Sequence, residues 1–346
     1  MTPHTSPMLP ELEYLYWFPF SDEPLLQGRW FQPRLSHPFV LFSEDSVDEK
    51  WHMFCHSWIG LHHYVSSSGL KWDHRALIEY NGRYPYLYIE DGVYYLLYEK
   101  SGMRIPFLDK RGREESKEYR RESHIEMRSS TDLQIWSNPR HLISAKDIST
   151  SSAFLQKGQL SHPQIVKYDQ GYRLYVGSSS VDRKLDVARY TMSTISPEII
   201  GPYRQEGEHI VIEADGNDYY RSLGSGQLQV FCEKSGCYAI QNSYYYDEKR
   251  NKNSSAITIL KSNDGLHFTS LDIKPILVPS EKGWASDHIL TSSLRYKEDE
   301  SCWYCYFSAT HTNEYRMTSE SIGLLIGKDS RPRKIGDVND LLYRDA

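Results

Sequence analysis

A short unit of strand, turn and strand recurs five times along the 346 residues of this chain. In the first unit, three runs rich in β-branched and aromatic residues cover Leu35 to Phe42, Trp51 to Ser57 and Leu61 to Ser67, with polar turns between them. This pattern is typical of an antiparallel meander. One such sheet cannot bury both of its faces, so it needs neighbours of the same kind.

The other four units begin near Tyr84, Ser161, Gln227 and Thr291, at irregular intervals. Helical periodicity is almost absent. Repeats of four-stranded units around a centre are the signature of a propeller, with insertions placed in its loops. The sequence therefore predicts an all-β chain that folds as one five-bladed β-propeller.

The fifth unit shows only three convincing strands before a polar tail. An alternating segment near the N-terminus, from Leu12 to Phe18, supplies a further strand. We predict that this strand completes blade five beside residues 321–327 and closes the ring, which leaves fewer open sheet edges. The expected organisation is an N-terminal arm at 1–30 that contributes the closing strand, a propeller at 31–328 and a C-terminal tail at 329–346.

Charge and hydropathy limit the classes of partner that this protein is expected to bind. The formal net charge is -6, and phosphate backbones bind to basic surfaces, so no nucleic-acid partner is expected. Residues 1–30 lack a secretory signal pattern, and no run reaches the roughly 18 apolar residues that span a bilayer. We expect a cytoplasmic protein without a membrane partner; the sequence gives no indication of its oligomeric state.

The five cysteines are an odd number, and all lie in or beside predicted strands. We expect reduced thiols in the core. Cys302 and Cys305 are three residues apart on a strand, which places their sulfurs on opposite faces and argues against a zinc site. No metal and no cofactor is expected.

Strand topology predicts where chemistry would lie. In an antiparallel blade, the start of the innermost strand, the end of the second and the start of the third share one face of the ring. Polar and aromatic residues at these places should converge on the mouth of a central funnel. They are Arg34, His37, His56, Trp58, His62, Arg83, Tyr84, Tyr86, Glu99, Arg104, Glu126, His162, Asp182, Asp186, Arg221, Asn242, Tyr244, Asp287, His288 and His311.

The segment from Tyr84-Pro85 through Asp91-Gly92 to Tyr98, and the closing turn Ser262 to Phe268, resemble the five-bladed propeller glycoside hydrolases, which include families 43, 32, 117 and 130. The resemblance covers Leu35 to about Lys328 and implies a funnel that binds carbohydrate. Arabinanase-like and invertase-like members place an Asp, an Asp and a Glu near the first-strand prolines of blades one to three. This chain has His37, Tyr84 with Tyr86, and His162 there, so those carboxylates are not carried over.

Glycoside cleavage needs one group that protonates the leaving oxygen and another that activates water or attacks the sugar. The rim carboxylates Glu99, Asp287 and Glu126 are our catalytic candidates. His37 and His162 stay open as alternatives, because some relatives use a histidine as the acid. The candidates for substrate binding are Arg34, His37, His56, Trp58, His62, Tyr86, Arg104, His162, Asp186, Arg221 and His288.

The sequence thus predicts a glycosidase-like enzyme that hydrolyses a small oligosaccharide or glycoside. Two alternatives remain. One is a non-catalytic, glycan-binding propeller, favoured by the missing carboxylates. The other is a phosphate-dependent glycoside phosphorylase, in which Arg34, Arg83, Arg104 and Arg221 would hold phosphate. A charged insertion at 102–123 is expected to flank the funnel mouth as a lid.

Overall fold

The computed structural model describes residues 12–28, 34–101, 123–148, 159–179, 190–233, 236–312 and 317–331. These ranges form five antiparallel sheets, with short 3-10 turns between some strands. The prediction of an all-β, five-bladed propeller is confirmed. The insertion at 102–123, with Arg104, and the segment that contains Asp182 and Asp186 lie outside the described residues, so the predicted lid is not part of this description.

The strands follow one another from the axis outwards in each of the first four blades. Before them come β1 (Leu15–Pro19) and β2 (Leu26–Gln27). Blade one contains β3 (Ser36–Leu41), β4 (Trp51–His56), β5 (Gly60–Ser66) and β6 (Asp73–Tyr80). Blade two contains β7 (Gly82–Glu90), β8 (Val93–Lys100), β9 (His124–Ser130) and β10 (Arg140–Ser144).

Blades three to five continue the pattern. Blade three contains β11 (Gln159–Tyr168), β12 (Gly171–Ser179), β13 (Tyr190–Ser196) and β14 (Arg204–Glu213). Blade four contains β15 (Gly224–Glu233), β16 (Gly236–Asp247), β17 (Lys252–Ser262) and β18 (Thr269–Ser270). Blade five contains β19 (His288–Lys297), β20 (Cys302–Thr312) and β21 (Thr318–Asp329). The inner strands β3, β7, β11, β15 and β19 contact one another in turn, and β19 returns to β3.

The hydrophobic core lies in the spaces between neighbouring blades. Each of five buried apolar clusters contains residues from two neighbouring blades. Near the axis, glutamine side chains tie adjacent inner strands together: the Gln164 amide accepts from Val230 N at 2.7 Å and donates to Val230 O at 2.9 Å. Gln229 makes the same paired contact with Leu294. The inner ring is therefore fixed by hydrogen bonds as well as by packing.

The N-terminal segment pairs with blade five. β1 runs antiparallel to β21, with Leu15 opposite Asp329 and Pro19 opposite Leu325. The strand starts at Leu15 rather than at Leu12, because Leu12–Tyr14 form a 3-10 turn that places Leu12 in the buried cluster between blades four and five. Trp17 packs over Gly327, where a Cβ atom would lie only 2.7 Å from the indole ring.

We expect deletion of residues 1–20 to lower the free energy of unfolding by several kcal/mol, because the deletion exposes the edge of β21 and removes the buried contacts of Leu12 and Trp17. Urea denaturation of the parent and the truncated chain measures the loss. Tyr16→Ala, on the same strand with a side chain that is 64% exposed, is the control and should change stability little. An unchanged unfolding midpoint after the deletion would contradict this account of ring closure.

The cysteine expectation was wrong at one place. Cys232 and Cys237 form a disulfide across the end of the β15–β16 hairpin, where their Cα atoms are 4.1 Å apart. Antiparallel pairing places the two residues directly opposite each other. Cys55, Cys302 and Cys305 are free and buried, and Cys302 and Cys305 lie in different core clusters, on opposite faces of β20. Disulfides are rare in reducing compartments such as the cytoplasm. The Cys232–Cys237 bond therefore does not support the cytoplasmic location, which stays a prediction.

Among the described residues there is no helix with the length and apolar character needed to cross a membrane.

Candidate functional site

A funnel-shaped cavity of about 510 Å³ opens on one face of the ring. Its wall comes from the strand ends that the topology singles out: the starts of inner strands, the ends of second strands and the starts of third strands. The predicted catalytic and binding residues that line it are Arg34, His37, His56, Trp58, Glu99, His162 and His288. Arg83, Tyr84 and Tyr244 from the predicted rim line it as well. The strand-end argument therefore found much of this wall.

The floor of the funnel is formed by His37, Tyr84 and His162, which separate the main cavity from a small space of about 10 Å³ beneath it. Each of the three precedes a proline in the inner strand of its blade, and each has a positive φ, at 59°, 51° and 49°. Sheet pairing is irregular at the same point of β3, β7 and β11, as expected for a β-bulge. Such strained backbone costs about 1 to 3 kcal/mol per residue and is concentrated at functional sites.

The floor side chains are packed against one another. The His162 and Tyr84 rings are 3.9 Å apart between centroids, and the His37 and His162 rings are 5.4 Å apart. His56 stacks on His37 at 4.5 Å. The positive φ values turn these rings towards the axis instead of into the blades, so three blades deliver one aromatic side chain each to a single point.

Hydrogen bonds fix how the floor histidines present their nitrogens. The Tyr84 backbone N–H donates to His56 Nδ1 at 3.2 Å, so the neutral His56 ring carries its hydrogen on Nε2, which faces Ser36 Oγ at 3.5 Å. Ser36 Oγ also contacts His37 Nδ1, at 2.8 Å. When Ser36 donates to that nitrogen, the hydrogen of the neutral His37 ring is on Nε2.

The His162 ring has one buried nitrogen without a partner in the described part of the chain. Its Nδ1 contacts Ser161 Oγ at 2.9 Å, but its Nε2 is buried and has no hydrogen-bond partner among the described residues. Burial lowers the pKa of His162 to about 3. The pKa of His37 is also well below its usual value, through burial and then the charges of His56, His162 and Arg83. Both rings are therefore uncharged at neutral pH, and His162 Nε2 is a buried polar atom that lacks a partner among the described residues.

Of the three predicted catalytic carboxylates, Glu99 lines the cavity. It is 4% exposed and lies at the end of β8, opposite Arg83 of β7. The second carboxylate on the described wall is Glu320, 3.8 Å from Arg34. Glu320 begins the third strand of blade five, so the strand-end argument could have found it as well.

Asp287 and Glu126 are not part of the cavity wall. The Asp287 carboxylate accepts from Lys252 Nζ at 2.7 Å and from Thr312 N at 2.6 Å; burial alone would raise its pKa, but these bonds lower it. Glu126 accepts from His124 Nε2 at 2.9 Å and from Tyr98 Oη at 3.0 Å. Burial alone would raise the pKa of Glu126, but these bonds lower it. Both carboxylates are engaged with protein groups.

The remaining predicted binding residues lie behind or below the wall. His62 supports it from behind, because its Nε2 contacts Ser57 Oγ at 2.8 Å and Ser57 lines the funnel. Tyr86 lies beneath the floor, where its hydroxyl donates to Ile165 O. Arg221 is buried beside Asp215 and Asp218, away from the funnel. Within the described ranges, no group of three or more His, Cys, Asp or Glu side chains is arranged to hold a metal ion.

Several solved structures have the same fold as this chain. An N-acetylgalactosamine deacetylase from F. plautii, in complex with blood group B trisaccharide, matches with a TM-score of 0.63 at 14% identity, over 90% of this chain and 95% of that one. A family 117 glycoside hydrolase from Zobellia galactanivorans matches with 0.58 at 12%, over 92% of both chains. A thermostable family 43 glycoside hydrolase matches with 0.59 at 14%, over 86% and 93%.

The predicted resemblance is thus confirmed for the fold, which is the five-bladed propeller found in glycoside hydrolases of families 43 and 117. No family model matches the sequence, and no curated protein matches it.

Proposed function

We propose that the protein is a glycosidase-like enzyme that hydrolyses a small oligosaccharide or glycoside in the funnel. The observation that carries this proposal is the strained floor of His37, Tyr84 and His162, with the unsatisfied His162 Nε2, beside the buried carboxylate of Glu99. The cavity volume falls within the usual range for small-ligand sites. The structural neighbours include glycoside hydrolases, and one neighbour is described in complex with a trisaccharide.

Glu99 and His162 supply two groups for the reaction. Hydrolysis breaks the bond between the anomeric carbon and the glycosidic oxygen, and water adds to that carbon. We assign Glu99 as the acid that gives a proton to the leaving oxygen, because it is the buried carboxyl group on the described funnel wall. His162 Nε2 orients the attacking water and takes its proton. Trp58, whose side chain is 44% exposed on the wall, provides a face on which a sugar ring can stack.

A screen of chromogenic glycosides, with and without inorganic phosphate and beside a glycan-binding array, tests this function. We expect release of the chromophore without phosphate. Release that requires phosphate would indicate a phosphorylase. Binding without any turnover would favour the second candidate, a glycan-binding propeller, which the replacement of the relatives' carboxylates by His37, Tyr84 and His162 supports.

Asp287→Asn tests the sequence-based assignment of Asp287 to the reaction. Because this carboxylate is held by Lys252 and Thr312 and lies off the cavity wall, we expect kcat to fall less than tenfold. The free energy of unfolding should fall by about 1 kcal/mol, as for a partly exposed ion pair. Turnover assays and urea denaturation of the same preparation give both values. A hundredfold loss of kcat would return Asp287 to the catalytic group.

A further inference from the structure

Arg83 lies on the funnel wall, where none of the described residues serves as its counter-ion. Its guanidinium has no hydrogen bond and no carboxylate within 4.0 Å in the described part of the chain. The other arginines there that are buried or partly buried each contact an acceptor: Arg128, Arg173, Arg221, Arg250 and Arg295. A partly buried cation of this kind is costly unless an anion compensates for it.

Neither carboxylate of the described wall forms an ion pair with Arg83. Glu320 pairs with Arg34. Glu99 is opposite Arg83 in the β7–β8 pair, yet the two make no ion pair. Arg83, His37 and His56 line the same cavity. Burial is the main cause that lowers the pKa values of His37 and His56, and the positive charge of Arg83 adds to it. An anion bound beside Arg83 would therefore lie in the same cavity as the floor histidines.

The floor offers hydrogen-bond donors to such an anion. His37 carries its hydrogen on Nε2 in the tautomer in which Ser36 Oγ donates to its Nδ1. The guanidinium of Arg83 adds a planar, forked set of donors, which matches the geometry of a carboxylate. Since Arg34 is paired and Arg221 is remote, one guanidinium remains among the described arginines of the funnel, and one positive charge balances a carboxylate better than a phosphate dianion.

We propose that the funnel binds an acidic sugar, a uronic acid residue whose carboxylate is held by Arg83 with His37 Nε2 beside it. This inference rests on the proposed function, because it names the substrate class of the same site. The ring of the sugar lies over the floor, and its carboxylate faces β7.

Matched sugar pairs test the inference: methyl glucuronoside against methyl glucoside, and methyl galacturonoside against methyl galactoside, titrated by calorimetry at low salt. In at least one pair, the acidic member should bind about tenfold more tightly or better, the scale of a charge-assisted hydrogen bond. Arg83→Gln should abolish this preference, and Arg83→Lys should keep part of it. Arg140→Gln, an exposed position on the outer strand β10, is the control and should keep all of it.

Different failures have different meanings. If neutral sugars bind and the acidic ones bind no better, or if the preference survives Arg83→Gln in a folded variant, the acidic-sugar inference is overturned and the proposed function stands. If inorganic phosphate raises the affinity for a neutral sugar tenfold and Arg83→Gln abolishes that gain, the anion is a co-substrate and the inference is again overturned. If neither acidic nor neutral sugars bind in the funnel, the proposed function falls together with the inference.

Discussion

Glu99→Gln is expected to lower kcat by at least about a hundredfold, the usual effect of removing a positioned acid or base. Glutamine keeps the shape of the side chain but has no proton to give. Glu99 is the buried carboxylate on the funnel wall, so no other described wall carboxylate is placed to take over, given that Glu320 pairs with Arg34. Steady-state kinetics on a substrate found in the chromogenic screen measure the loss.

The leaving group sharpens this test. A dinitrophenyl glycoside needs little protonation of its leaving oxygen, so Glu99→Gln should lose much less activity on it than on an alkyl glycoside. Glu298→Gln, at an exposed position between β19 and β20, is the control and should behave as the parent. Equal losses on both substrates would show that Glu99 does not act as the acid.

We expect the free energy of unfolding to fall already at mildly acidic pH. Burial lowers the pKa values of His62, His63 and His162 to about 4, 3 and 3, below the ordinary value of 6.5. The unfolded chain therefore binds more protons than the folded one as pH falls below 6.5. The stability that these neutral rings confer is complete above that pH and is lost progressively towards pH 4 to 3. Each ring contributes about 1.4 kcal/mol per pH unit once the unfolded form is protonated.

Urea denaturation at a series of pH values measures this dependence, and we expect these three rings alone to lower the free energy of unfolding by about 4 kcal/mol between pH 6 and pH 5. His63→Phe removes one ring and should reduce the slope by about a third of that value. Asn138→Ala, at an exposed position without a titratable side chain, is the control and should leave the slope unchanged. A flat profile between pH 7 and pH 5 would contradict the description of these histidines as buried and neutral.

The repeat of strands and turns was sufficient to predict the propeller, because each turn has a local chemical signature. In the closing turn of blade four, Ser262 Oγ accepts from Gly265 N and Asp264 Oδ1 accepts from Leu266 N and His267 N. Such bonds form within a few residues, so the sequence alone indicates them. The same holds for the funnel wall, since strand ends follow from strand order.

Contacts between distant segments were harder to predict. Nothing in the sequence next to Asp287 indicates that Lys252 and Thr312 are the partners of its carboxylate. The pairing of Cys232 with Cys237 depended on the exact register of one hairpin. The importance of Tyr84 depended on its positive φ, which it shares with His37 and His162. The sequence does not indicate this conformation, because a residue before proline ordinarily takes an extended one.

The location of a bound substrate tests the central claim most directly. Crystals of the Glu99→Gln variant, soaked with a glycoside that the parent cleaves, should show the sugar in the funnel. The account predicts that the introduced amide side chain lies within hydrogen-bond distance of the glycosidic oxygen and that His162 Nε2 contacts a water or hydroxyl next to the anomeric carbon. A sugar bound outside the funnel, or one in the funnel that touches neither side chain, would contradict it.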